Sequence, residues 1–169
     1  GGKPVMFFSI LAVVNPGDEV MYPNPGFPIY ESMINFVGAK PVPIQLKEQN
    51  EFGLDTEYVK KMITKKTKMI ILNSPENPTG GVVAREQLKV VADSISGRND
   101  VFVLSDEIYS RIIYEGKHES IAALPGMKDK TILLDGFSKT YAMTGWRLGY
   151  GVMREDIAQK VARLMTNTN

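Results

Sequence analysis

Three short runs without a single polar residue most constrain the fold of this chain: Met69-Ile70-Ile71-Leu72, Val101-Phe102-Val103-Leu104 and Ile132-Leu133-Leu134. Unbroken apolar runs of this length mark strands covered on both faces, because a half-exposed strand would alternate. Glu19-Val20-Met21-Tyr22 reads as another short strand, stopped by Pro23. Val42 to Leu46 alternates and contains Pro43, which suits a sheet edge, and Leu148 to Met153 reads as a last strand. Helical spacing fills the intervals. Val5 to Val14 is apolar almost all round and is ended by Asn15-Pro16-Gly17-Asp18. Ile29, Met33, Phe36 and Val37 form a stripe stopped by Gly38, and Asp55 caps a helix with Val59, Met62 and Ile63 inside. Leu88, Val91, Ala92 and Ile95, then Ile157, Val161, Leu164 and Met165, make two more stripes. Strands alternating with helices predict an α/β three-layer sandwich, a mostly parallel sheet flanked by helices.

The bulk properties remove several classes of function. A length of 169 residues with 43% hydrophobic and 23% charged residues suits one globular domain with its own core. The net charge of +1 gives no electrostatic case for nucleic acid or for an acidic membrane surface. Lys60-Lys61 and Lys65-Lys66 read as a solvated face. Cysteine is absent, which excludes disulfides and thiolate chemistry. Val5 to Val14 is interrupted by Ser9, is too short to span a bilayer and has no basic leader. A cytoplasmic location is the expectation. No Gly-x-Gly-x-x-Gly opens a helix and no Gly-Lys-Ser/Thr occurs, so dinucleotide and P-loop readings fail.

Asn77, Asp106 and Lys139 all follow the carboxyl ends of expected strands, where open α/β sheets bind ligands. Lys139 lies in Gly136-Phe137-Ser138-Lys139-Thr140-Tyr141, just past a buried strand, with Arg147 and Gly149 beyond it. A lysine held there can be partly desolvated, which favours the neutral, nucleophilic amine. Arg147 offers a planar fork suited to a phosphate. An amine plus a phosphate clamp is what an aldehyde-bearing phosphorylated cofactor needs, and pyridoxal 5'-phosphate is that cofactor.

The Gly136 to Tyr150 stretch resembles the lysine signature of the class I/II aminotransferases, whose large domain has the pyridoxal-phosphate fold type I. Asn73-Ser74-Pro75-Glu76-Asn77-Pro78-Thr79-Gly80, Ser105-Asp106-Glu107-Ile108-Tyr109, Gly1-Gly2-Lys3 and Pro25-Gly26-Phe27-Pro28 resemble four further family segments, in the family's order. The resemblance implies that Lys139 holds the cofactor as a Schiff base and then moves the substrate's Cα proton. It implies that Asp106 pairs with the pyridine nitrogen, that Tyr109 and Asn77 donate to the phenolic oxygen, and that Phe27 stacks on the ring. Gly2 and Lys3 would offer backbone N–H groups to the phosphate at a helix start. Lys3 also hints at aspartate- or glutamate-like substrates. The family often has a serine where Gly136 stands, and Ser138 is the alternative hydroxyl. Turn formation accounts equally well for Asn77 before Pro78. His118 reads as an exposed loop residue rather than a catalyst.

Three further expectations follow from the resemblance. Residues 1–169 are the cofactor-binding large domain of a homodimeric protein, without its N-terminal arm and C-terminal small domain. The substrates are an amino acid and a 2-oxo acid, with no metal. A β-lyase or decarboxylase built on the same residues, or a catalytically incomplete cofactor-binding domain, remains open.

Overall fold

In a computed structural model, which describes residues 1–168, six strands form one sheet. They are β1 (Glu19–Asn24), β2 (Lys40–Gln45), β3 (Thr67–Asn73), β4 (Phe102–Asp106), β5 (Thr131–Gly136) and β6 (Gly149–Val152). Their order across the sheet is β2-β1-β3-β4-β5-β6. All neighbours run parallel except β5 and β6, which are antiparallel. The helices are α1 (Lys3–Val13), α2 (Ile29–Phe36), α3 (Thr56–Met62), α4 (Arg85–Ser94) and α5 (Glu155–Thr166).

Strand parity sorts the apolar runs into two cores. Met69 and Ile71 of β3, Leu104 of β4 and Ile132 and Leu134 of β5 pack with α1, α2 and α5. Ile70 and Leu72 of β3 and Val103 of β4 face the other way, onto Val59 of α3 and Leu88 and Val91 of α4. Burying each such side chain contributes roughly 1.5–3 kcal/mol, so both faces must be covered, and the result is three layers. Local signals place the helix starts. Pro4 sits in the first turn of α1, where its missing N–H costs nothing. The Asp55 carboxylate accepts from the Tyr58 backbone N–H at 2.9 Å and caps α3.

Two expectations need correction. Pro23 does not stop β1, which runs to Asn24. The β1–β3 register ends at Met21, opposite Ile70, while Pro23 continues opposite Ile44 of β2. Beyond Met21 the strand is laddered on one side only, and a residue lacking an N–H is tolerated there. The buried face of α2 is Tyr30, Met33 and Ile34; of the expected stripe, Met33 is buried, Ile29 and Val37 pack partly against the core, and Phe36 turns outward. Phe36 is 68% exposed, its ring tilted against that of Phe7 with centroids 5.9 Å apart. In so short a helix two overlapping sets of three- and four-residue spacings fit equally well, and docking chooses between them.

Parity also aims the strand ends. In β4, Phe102, Leu104 and Asp106 point toward α1, whereas Val103, Ser105 and then Glu107 point to the opposite layer. Two adjacent carboxylates are thereby separated by the thickness of the sheet.

Candidate active site

A cavity of about 290 Å³ opens at the carboxyl ends of β3, β4 and β5, beside the amino end of α1. Gly2, Lys3, Phe27, Asn77, Asp106, Tyr109, Ser138, Lys139 and Arg147 all line it. Every site residue expected from the sequence is therefore brought to one place.

Asp106 is a buried carboxylate in its wall, at 4% exposure. One carboxylate oxygen accepts from the Tyr30 hydroxyl at 2.8 Å and the other from the Ile108 N–H at 3.3 Å. Both donors are neutral. Burial pushes the Asp106 pKa up to about 6; the two hydrogen bonds oppose it, and the charges of Asp135 and Glu107 add to it. Tyr30, fully buried against this carboxylate, is raised well above the usual phenol value, first by burial and then by the Asp106 charge.

The adjoining loop is built on Asn73, at the end of β3 and in register with Asp106. Its amide donates to the Asp106 carbonyl at 3.0 Å and accepts from the Asn77 N–H at 2.9 Å. Glu76 ties the loop back on itself, accepting from the Thr79 N–H at 3.2 Å and hydroxyl at 2.8 Å. Burial raises the Glu76 pKa against those bonds.

The cationic side is open. Lys139 is exposed in this chain. Loops cover a strand end less completely than helices cover its middle. Its ammonium group lies 5.6 Å from the centroid of the Tyr109 ring. Arg147 is also exposed and has a left-handed backbone, φ 54°, while its guanidinium donates to the Thr144 carbonyl at 2.9 Å. A Cβ on Gly1 would fall 2.7 Å from an Arg147 nitrogen, and one on Gly149 would fall 2.7 Å from the Gly1–Gly2 backbone. Glycine at these positions lets the start of β6, the guanidinium and the amino end of α1 close together. The first turn of α1 carries no acidic residue. A cation, a helix amino end and a glycine turn fit a phosphate.

Smaller details explain other residues. A Cβ on Gly136 would lie 3.1 Å from both Gly149 Cα and the Leu148 carbonyl oxygen, so the close backbone approach favours glycine here. Ser138, half-buried, reaches the cavity. The Lys3 ammonium stands 5.5 Å from the Phe27 ring centroid, and Phe27 meets Tyr30 edge to face at 5.8 Å.

His118 is not the exposed loop residue expected. Its side chain is 16% exposed and its Nε2 lies 2.7 Å from the Glu107 carboxylate. Glu107 also accepts from Ser105 at 2.9 Å and Ser120 at 2.6 Å. Sequence reasoning also gave no role to Tyr30 or Asn73. Asn73 stood inside a quoted motif and Tyr30 three residues beyond Phe27, but what each contacts lies on another strand.

The geometry agrees with the comparisons. The family model for "Aminotransferase class I and II" matches residues 1–169. The chain belongs to this family. It is 42% identical over 164 residues to an aspartate aminotransferase of Pyrococcus abyssi, covering 96% of this chain and 42% of the relative. It is 39% identical over 164 residues to aromatic-amino-acid aminotransferase 2 of Thermococcus litoralis, again covering 96% and 42%. Thermus thermophilus aspartate aminotransferase with maleate superimposes with a TM-score of 0.94 at 34% identity, over 99% of this chain and 43% of that one. The fold is thus that of the pyridoxal-phosphate fold type I aminotransferases. The chain spans about 42% of the length of these curated relatives.

Proposed function

We propose that residues 1–169 form the cofactor-binding large domain of an aminotransferase that uses pyridoxal 5'-phosphate to move an amino group between an amino acid and a 2-oxo acid. One observation carries this reading: an amine, a buried carboxylate and a guanidinium, Lys139, Asp106 and Arg147, converge on a single cavity. The residues fit the group. Asp106 is a buried carboxylate with only neutral donors, so a cationic N–H is the partner it lacks. Arg147 and the amino end of α1 take the phosphate, with the Ser138 hydroxyl beside them.

When bound, the cofactor supplies an electron sink for the carbanion formed at the substrate Cα. The protein does the rest. Asp106 would keep the ring nitrogen protonated, Phe27 would stack on the ring, and Asn77 and Tyr109 would donate to its phenolic oxygen. Lys139 would hold the cofactor through its amine and would be the group that takes and returns the substrate's Cα proton. Lys3, exposed at the cavity rim, is the group suited to a second carboxylate on an acidic substrate.

The test uses the full-length protein with added cofactor. Wild type should develop the visible absorption of a lysine-bound cofactor and transfer amino groups, and Lys139→Ala should lose both. A Lys139→Ala variant that kept the band would refute the assignment.

A further inference from the structure

We propose that Asn73 is a positioning residue that fixes the distance between Asp106 and Asn77, the side chains assigned to the ring nitrogen and to the phenolic oxygen of the cofactor. The inference rests on the cofactor reading above, and it concerns a residue that touches the reaction only through others. Asn73 is 3% exposed and ends β3 directly opposite Asp106 in the parallel register. Its amide N–H reaches the Asp106 carbonyl at 3.0 Å, and its amide oxygen receives the Asn77 N–H at 2.9 Å. The same Asp106 carbonyl accepts from the Ser74 N–H at 3.3 Å, so the start of the loop is sewn to the end of β4 twice. Farther along, the Ser74 hydroxyl accepts from the Val83 N–H at 3.0 Å and pins the returning strand of the loop.

Only a carboxamide offers a donor and an acceptor pointing in opposite directions at this reach. Alanine offers neither, and serine carries its donor and acceptor on one oxygen a bond closer to the backbone, too short to span both partners. Asn73 is buried, and loss of its amide leaves the Asn77 N–H without its protein acceptor and the Asp106 carbonyl with the Ser74 N–H alone, so the loop is held less tightly to β4. The Asn77 side chain moves with its backbone. Its hydrogen bond to the phenolic oxygen stabilises the anionic form of that oxygen, and weakening the bond raises the pH at which the bound cofactor loses its proton.

The experiment is a spectrophotometric pH titration of the cofactor band in full-length protein, comparing wild type, Asn73→Ala, Asn73→Ser, Asn77→Ala and the Asn73→Ala/Asn77→Ala double variant. Both Asn73 variants should raise the midpoint by about one pH unit. In the Asn77→Ala background, Asn73→Ala should add little, because a residue acting through Asn77 has nothing left to position. An unmoved midpoint in both Asn73 variants, or shifts that add in full, would overturn the proposal. So would failure of both variants to fold, since the bridge would then serve the fold and not the site. Absence of a band in wild type would instead overturn the cofactor reading and take the inference with it.

Discussion

Asp106 and Glu107 are neighbours in sequence, and the sheet treats them in opposite ways. Asp106 faces the α1 layer and the cavity, with one tyrosine hydroxyl and one backbone N–H for its two oxygens. Glu107 faces the other layer, where two serine hydroxyls and His118 occupy its oxygens. Both are about 5% exposed or less. Burial alone therefore does not separate the carboxylate at the cavity from the one on the far side of the sheet. The number of donors and access to the cavity do. Glu107 closes the excursion from Asp106 to Ser120 by tying its two ends together, and Tyr109 is carried between them.

The largest expected difference between the two is chemical. In cofactor-loaded full-length protein, Asp106→Asn should slow substrate Cα–H cleavage roughly a hundredfold or more, because it removes a preorganised charge in a dry site. Glu107→Gln should leave the rate within a few-fold. Single-turnover kinetics on both variants decide it; equal losses would erase the distinction drawn here.

The next effect is on stability and runs the other way. Glu107→Ala leaves His118, Ser105 and Ser120 without their common acceptor, and should cost about 3 kcal/mol in denaturant unfolding of the cofactor-free protein. A loss below about 1 kcal/mol would show that the cluster is dispensable.

The smallest effect is a matter of pH. The folded-state pKa of Asp106 is raised from 3.8 to about 6, so its contribution to stability is fully present below about pH 4 and is lost as pH rises through 6. The Tyr30 hydrogen bond opposes that rise. Tyr30→Phe should therefore move the loss to higher pH. It should cost about 1 kcal/mol above pH 6, with little change below pH 4. Unfolding free energies of the cofactor-free protein across pH 3–8 test this, and a cost independent of pH would assign Tyr30 a packing role only.

Much of the architecture was legible from pattern. The unbroken runs around Ile70, Val103 and Leu133 marked buried strands because both faces of the sheet are covered. Gly136, Lys139, Arg147 and Gly149 were legible because the Gly1–Gly2 turn, the cavity and a close backbone approach each demand a particular residue type. Other features were not legible, and for physical reasons. The inward face of α2 depended on which of two equivalent stripes docked. The exposure of Lys139 depended on how far the surrounding loops fold over it. His118 looked like loop because its neighbours in sequence are polar, while its partner Glu107 is eleven residues away.

By itself, the sequence determined the alternation of strand and helix, the two-faced sheet and the residue types at the strand ends, since periodicity and turn chemistry act over a few residues. The tertiary structure decided which groups share a proton or a hydrogen bond. Tyr30 and Asp106 are 76 positions apart, and Asn73 and Asp106 are 33 apart. Hydrogen bonds form only within about 3 Å, and no local pattern encodes which distant strand ends the packing of the layers brings to that range.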